Sequence, residues 1–397
     1  MTTVEQFQDT RSAGLRLGIL AGGLFVVGSN AFVIAGVLPF IAQSLGTSSE
    51  AVSLAITWYA IVVAVASPIV SIVLARLSRT AILVGGLVLI AAGTIVASLA
   101  PDLTAFIGGR VLAALGGAAL VPAATAAAPA IVPAERRGRA LAFVSFGFTL
   151  AGVIGSPLGT ALAGFFGWRA TLGVIAALAV LLALVTALLV RGLPRPPALG
   201  LGARLSILGD RRILAGLLTA LLATASFNVL YTFSAAVTHD ATGGSAGLLA
   251  LLLFVYGIFG MVGNWLGGRV SDRLGSRLSV LVGLLVQAAV LFALIALDRS
   301  LVLTAVAFAF WGVTAFGVTI PIQHRLVAID PARAGLSLSW YSTAMYVGIA
   351  LAPVAGSLAL GAGTVVLLIT AGTLAAVALV VFQLGYLDAS RQGRARP

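Results

Sequence analysis

Three ionisable side chains in or beside long apolar segments are the residues best suited to exchange a proton or hold a charge away from water. Arg110 lies about 10 Å into an apolar segment, counted at 1.5 Å per helical residue. There it could bind an anionic group, shift the protonation of a neighbour or bond to backbone carbonyls. His324 ends another apolar segment and could titrate near neutral pH, although a histidine beside Arg325 at such an end is more often solvated. With Asp272, which lies between two apolar runs, these residues are the coupling candidates.

The segments that hold these residues are too apolar for a domain in water. The chain is 60% hydrophobic and 9% charged, and its mean hydropathy is +1.16. A helix needs about 20 apolar residues to cross the roughly 30 Å hydrocarbon core of a bilayer. The absence of cysteine excludes thiol chemistry and Cys-based metal sites, and we expect neither a metal nor a cofactor. Twelve spans are predicted, starting near Leu17, Ala51, Ala81, Thr104, Ala140, Ala170, Ile213, Ala246, Leu278, Leu301, Leu336 and Thr364.

The positions of the basic residues predict the orientation in the membrane. All 23 are arginine, and all but Arg110, Arg169 and Arg299 fall in loops or tails on one side. Because basic residues concentrate in cytoplasmic loops, both termini are predicted to be cytoplasmic. The net charge of +12 therefore indicates topology, with attraction to membrane lipid as a secondary effect. Nucleic-acid binding is not expected.

One long polar interruption, rich in proline and arginine, divides the spans six and six. The two halves resemble each other at an offset of about 196 residues, as when Gly152–Pro157 is set against Gly348–Pro353. The predicted parts are a cytoplasmic tail over 1–16, a six-helix bundle over 17–190, a cytoplasmic linker over 191–212, a second six-helix bundle over 213–387 and a cytoplasmic tail over 388–397.

Several motifs together carry a family resemblance over nearly the whole chain. The chain resembles major facilitator superfamily transporters of the drug:proton antiporter type, and is most similar to the bacterial arabinose/sugar-efflux and chloramphenicol-resistance permeases. The resemblance implies an all-α membrane protein with two pseudo-symmetric six-helix bundles. It also implies a monomer in the bacterial inner membrane that transports a small molecule. The motifs are Gly36–Ala42, Ser67–Val70, Ala75–Arg79, Arg110–Gly117 with Pro122, Val132–Ala140, Gly155–Thr160 and Gly167–Arg169.

The departures from the family pattern concern proton coupling. Family members often carry a Glu in span one, where this chain has Asn30. All 11 acids map to predicted loops or tails, and a neutral amide cannot carry a proton. The resemblance implies proton-coupled export by alternating access. The missing acid supports the alternative of an uncoupled facilitator or importer of a neutral solute.

By analogy with the superfamily, spans one, four, seven and ten should line a central cavity, with additions from spans two, eight and eleven. Aromatic walls with few polar groups suit a neutral or weakly polar ligand, such as a drug or sugar. Aromatic residues near span ends also serve as interface anchors, so we expect about half of the candidates to touch substrate. The candidates are Asn30, Tyr59, Arg110, Asn228, Tyr231, Tyr256, Trp311, Trp340, Tyr341 and Tyr346.

Two segments have residues suited to gating. Gly268–Arg277 predicts a charged, sharp turn between spans eight and nine, where Asp272 could accept hydrogen bonds at the N-terminus of span five and latch one state. Span five is rich in glycine around Pro157, which indicates either close packing or a hinge. The gating candidates are Gly155, Pro157, Gly268, Asp272, Arg273, Gly275 and Arg277.

Two other classes of function compete with transport. An intramembrane hydrolase would need a buried nucleophile with a base in reach, and Ser337 and Ser339 have no His or Lys suited to that role. The chain is therefore not expected to be an enzyme. A non-transporting sensor with the same fold stays open, although the charged turn and the glycine-rich span favour moving parts.

Overall fold

The computed structural model describes residues 3–74, 77–133, 136–193, 206–297 and 299–394. For 3–12, 71–72 and 387–394 it describes only the backbone. Ala75, most of the predicted linker and the extreme ends of both tails lie outside these residues.

Nearly all of the described chain is helical, and the predicted all-α class is confirmed. The helices of the first half are α1 (Thr3–Ser44), α2 (Ser49–Val73), α3 (Arg79–Ser98), α4 (Leu103–Ala127), α5 (Arg137–Leu150), α6 (Ser156–Phe166) and α7 (Trp168–Leu189). Those of the second half are α8 (Arg211–Thr232), α9 (Ala246–Leu297), α10 (Leu301–Gly317), α11 (Thr319–Ile329), α12 (Ala334–Leu360) and α13 (Thr364–Arg394). Two short helices, Ser234–Val237 and His239–Thr242, follow α8.

Eleven helical segments of the described chain are long and apolar enough to cross a membrane. One of them, α9, has 52 residues, and a straight helix of that length would be about 78 Å long, more than twice the bilayer core. Gly275 interrupts it with φ 79° and ψ 156°, a conformation open almost only to glycine. The two parts of α9 are therefore separate spans, which brings the number to the predicted twelve.

Residue contacts divide the chain into two compact units. Unit 1 comprises residues 1–48 and 65–198, and unit 2 comprises 49–64 and 199–397. The first part of α2 therefore belongs to unit 2, where Thr57 Oγ1 donates a 2.9 Å hydrogen bond to the carbonyl of Ala350 in α12. The two six-helix bundles on either side of the linker stay a prediction.

Glycines allow a close helix crossing in unit 1. A Cβ added at Gly93 of α3 would overlap the backbone of Ala113 in α4, and one at Gly109 of α4 would overlap the backbone of Ala97 in α3. Small residues at such crossings let two backbones approach and gain dispersion contacts that lipid tails cannot provide. This crossing fixes α4 against α3 at the level of Arg110, the residue after Gly109.

Span five is built from three pieces. A π-helical turn, Ala151–Gly155, separates α5 from α6. Pro157 explains the break, because its ring has no N–H and excludes the carbonyl four residues earlier, that of Val153. Wider π turns recur at functional sites in helices. A Cβ at Gly155 would overlap Ser29 of α1, so α1 packs directly on the π turn.

Candidate functional site

A buried polar network joins three helices of unit 1. Arg110 Nη1 of α4 donates to Asn30 Oδ1 of α1. Asn30 Nδ2 donates to Thr94 Oγ1 of α3 at 2.6 Å, and Thr94 Oγ1 donates to the carbonyl of Ile90 at 2.6 Å. No more than 1% of the surface of Asn30, Thr94 or Arg110 is exposed. We call this the arginine network.

The chemistry of the arginine network follows from the amide at its centre. Asn30 accepts with its oxygen and donates with its nitrogen, so both ends of the side chain are used at once. A carboxylate there would accept only, and it could exchange a proton. The amide instead gives Arg110 a neutral acceptor and holds α1, α3 and α4 together. Sequence reasoning found Asn30 and Arg110 but missed Thr94, since a threonine inside an apolar helix gives no distinguishing signal.

Unit 2 has a neutral polar network at the matching place. Gln287 Nε2 of the second span of α9 donates to Ser226 Oγ of α8 at 3.0 Å, and Ser226 donates to the carbonyl of Ala371 in α13 at 2.7 Å. Ser226 lies about 196 residues after Asn30, which is the offset of the sequence repeat. The two halves thus each bridge their first and third spans, but only the first half uses a charge. Neither residue of this second network was predicted.

An aromatic cluster in unit 2 brings together three predicted binding residues. Tyr231 of α8, Tyr256 of α9 and Trp311 of α10 contact one another, with ring centroids 5.6 Å apart for the tyrosine pair, 6.4 Å for Tyr231 and Trp311, and 4.0 Å for Tyr256 and Trp311. Phe308 and Phe316 pack on its edges. The three rings are buried, and Trp311 Nε1 has no hydrogen-bond acceptor among the described residues.

The other predicted binding residues lie elsewhere in unit 2. Asn228 Nδ2 donates to the carbonyl of Thr224 on its own helix at 2.9 Å. Tyr341 belongs to a hydrophobic core cluster, and Trp340 packs partly buried against it. Tyr59 and Tyr346 are buried.

The predicted turn between spans eight and nine is narrower than expected. Gly268 is helical, because only Gly275 leaves the helical region of backbone space. Gly268 therefore belongs to the helix and not to the turn, and its gating role stays a prediction. Arg273 and Arg277 are exposed on either side of the break, and the latch predicted between Asp272 and span five stays a prediction.

Two of the three coupling candidates are neighbours in unit 2. His324 Nδ1 of α11 lies 3.9 Å from Asp272 Oδ1, and the two side chains are 47% and 71% exposed. The same ring nitrogen lies 3.2 Å from Ser271 Oγ, within hydrogen-bond distance. The third candidate, Arg110, belongs to unit 1. Among the described residues, no group of three or more His, Cys, Asp or Glu could hold a metal ion.

Comparison with known proteins agrees with this architecture. The YdhP inner membrane transport protein of Escherichia coli O157:H7 is 30% identical over 357 residues, covering 87% of this chain and 88% of YdhP. The uncharacterized MFS-type transporter YbcL of Bacillus subtilis (strain 168) is 27% identical, covering 83% of this chain and 85% of YbcL.

A solved structure shares the fold over nearly the full length. It is a bacterial homolog of the human lysosomal transporter Spinster, in an inward-facing and unoccupied conformation. The TM-score is 0.75 at 18% identity, with 96% of this chain and 97% of that chain covered. The family model of the Major Facilitator Superfamily matches residues 20–353. The chain therefore belongs to the Major Facilitator Superfamily and is a multi-pass membrane protein of this transporter family.

Proposed function

We propose that this protein is a secondary active transporter of the drug:proton antiporter type that exports a small, neutral or weakly polar molecule. Export would proceed by alternating access across the bacterial inner membrane. The name of the Escherichia coli relative gives this location for that protein. The aromatic cluster of Tyr231, Tyr256 and Trp311 is the observation that carries the proposal. It contributes large ring surfaces from three helices and no formal charge.

The cluster also supports a prediction about the polar groups of the substrate. Trp311 Nε1 is a buried donor without an acceptor among the described residues, and such donors are uncommon in folded proteins. A carbonyl or hydroxyl oxygen on the substrate would supply the acceptor, while its apolar part would contact the rings. Sugars and chloramphenicol-like drugs both have this combination of groups.

Proton coupling through His324 and Asp272 is the second part of the proposal. These side chains lie 3.9 Å apart, close enough to interact electrostatically, and both are exposed. A second candidate function is uncoupled transport of a neutral solute. It is favoured by Asn30, because the amide at the centre of the arginine network cannot take up a proton.

Transport in proteoliposomes tests the function. We would measure movement of labelled chloramphenicol and arabinose with and without an imposed pH gradient, and repeat it in cells treated with a protonophore. Gradient-driven movement that the protonophore abolishes in cells is expected. Equal flux with and without the gradient would reject coupling and favour the facilitator. Absence of flux for a broad panel of neutral solutes would contradict the substrate class.

A pair of tryptophan variants tests the role of the cluster. Trp311→Phe keeps a ring but removes the N–H, so KM should rise about 5- to 10-fold for an oxygen-bearing substrate, as expected for loss of one hydrogen bond. Trp265→Phe is the matched control, because Trp265 is exposed on α9 away from the cluster. An equal effect of the two substitutions would contradict a direct role for Trp311 Nε1.

A further inference from the structure

Two arginines converge on one tyrosine ring at an end of unit 2. Arg325 Cζ of α11 lies 4.0 Å from the ring centroid of Tyr386 in α13, and Arg277 Cζ of α9 lies 5.3 Å from it. The two guanidinium carbons are therefore at most 9.3 Å apart, the sum of these distances. Arg277 Nε also donates to Gln383 Oε1 at 3.1 Å. We call these four residues the basic cluster.

The tyrosine is a fixed platform for the two charges. Its ring packs edge-on against Phe382, with centroids 5.2 Å apart, and Phe382 belongs to the hydrophobic core cluster of unit 2. A guanidinium over an aromatic face is attracted by the ring quadrupole. The basic cluster therefore holds two cations, one from α9 and one from α11, at defined positions over a ring of α13.

The positive charge of the basic cluster is not neutralised within the described chain. Neither Arg277 nor Arg325 forms an ion pair with a described carboxylate. The carboxylate of Asp272 is directed to His324, 3.9 Å away. Arg325 Nη2 is buried without an acceptor, and the other N–H groups of Arg325 have no acceptor among the described residues. Guanidinium N–H groups bond strongly to phosphate oxygens, at about 2.8 Å.

An exposed apolar surface continues from the basic cluster. Leu278 follows Arg277 and Leu384 follows Gln383, and the two leucines are 45% and 58% exposed. The apolar segment from Thr364 to Tyr386 has 23 residues, about 34 Å at 1.5 Å per residue, so Tyr386 lies about one core thickness from the start of that helix. The cluster thus lies at the depth of lipid headgroups, with leucines at the depth of the adjoining acyl chains.

We propose that the basic cluster binds the headgroup phosphate of an anionic phospholipid in the leaflet on the arginine-rich face. The two guanidiniums provide donors for the phosphate oxygens, and the leucines contact the acyl chains. A zwitterionic headgroup would bring its own cation towards Arg277 and Arg325, so it should bind more weakly. The inference goes beyond the proposed function, because it concerns neither the transported molecule nor its coupling.

Native mass spectrometry of the full-length protein in detergent tests the proposal. Phosphatidylglycerol and phosphatidylcholine are titrated against the unmodified chain and against R277Q, R325Q and the double variant. Removing one juxtamembrane arginine should weaken phosphatidylglycerol binding about 5-fold, and removing both about 25-fold. Arg269→Gln is the matched control, because Arg269 is an exposed arginine on α9 that stacks on Trp265 instead. It should leave the affinity within twofold of the original.

The headgroup comparison needs no substitution, so it holds even if a variant fails to fold. The unmodified chain should bind phosphatidylglycerol at least 10-fold more tightly than phosphatidylcholine. Equal binding of the two lipids would overturn the proposal, as would an Arg269→Gln effect equal to that of Arg325→Gln. Displacement of the lipid by millimolar inorganic phosphate would assign the basic cluster to a free anion and also overturn it.

Discussion

Removing the amide at the centre of the arginine network should cost more stability than removing any neutral hydrogen bond nearby. Asn30→Leu deletes an acceptor for Arg110 and the donor to Thr94. Polar bonds between membrane helices average about 0.6 kcal/mol and reach about 1.7 kcal/mol. Assigning the larger value to the bond from the charged guanidinium and the average to the neutral bond predicts a loss of about 2 kcal/mol.

Two controls separate the charge effect from the loss of polarity. Thr94→Val removes the neutral bond from Asn30 and the bond from Thr94 to the carbonyl of Ile90 on its own helix, and it leaves Arg110 bonded to Asn30. It should cost about 0.6 kcal/mol, the average for a polar bond between membrane helices. Asn228→Leu replaces another buried asparagine, whose amide bonds only to a carbonyl of its own helix. No charged group takes part in that bond, so the substitution should cost less than about 1 kcal/mol.

The assay is reversible unfolding in mixed micelles, monitored by tryptophan fluorescence and helical circular dichroism. Unfolding free energies of the single variants and of Asn30→Leu combined with Thr94→Val form a double-mutant cycle. The double variant should be about 0.6 kcal/mol more stable than the sum of the two losses predicts, because the shared bond is removed only once. An Asn30→Leu loss no larger than that of Asn228→Leu would refute the reasoning.

Three further predictions concern stability. Gly93→Ala should destabilise by about 1–3 kcal/mol, because its Cβ would overlap α4, whereas Gly85→Ala meets open space and should be neutral or stabilising; both are measured as unfolding free energies. Gly275→Ala should lower the unfolding free energy by about 1–3 kcal/mol in the same assay, since alanine is strained at φ 79°. Asp210 caps α8, and its hydrogen bond from Arg212 lowers the pKa of its carboxyl. Its stabilisation is therefore present above the unfolded pKa near 3.9 and lost as pH falls through the lower folded pKa. Asp210→Ala should cost about 1 kcal/mol at neutral pH and less in acid, measured as the thermal midpoint against pH.

The two polar networks show how a repeated architecture becomes unequal. Asn30 and Ser226 occupy matching positions in the repeat, and each bonds to the third span of its half. Only unit 1 adds a guanidinium, from Arg110. A charge buried among apolar helices is costly unless hydrogen bonds hold it in place. The geometry of the arginine network is therefore the more tightly constrained of the two. Its residues are the better targets for mutagenesis.

Sequence patterns identified individual residues better than they predicted which residues contact one another. Tyr231, Tyr256 and Trp311 were predicted one by one as binding residues, and the structure joins them in one cluster. His324 was rated as a solvated end residue, yet it lies beside Ser271 and Asp272. Nothing in the sequence relates these positions, which lie on α9 and α11.

The sequence by itself determined the helical spans and the absence of acids from their interiors, because the cost of placing a residue in hydrocarbon depends on that residue and its immediate neighbours. It also indicated a break near Asp272, but both Gly268 and Gly275 could have supplied it. Only the tertiary structure decided that Gly275 does so. It also decided that Asn30 bonds to Arg110 and Thr94. Such pairings depend on how each helix is rotated about its axis and where it crosses its neighbours. Rotating a helix by one residue, about 100°, would point these side chains elsewhere.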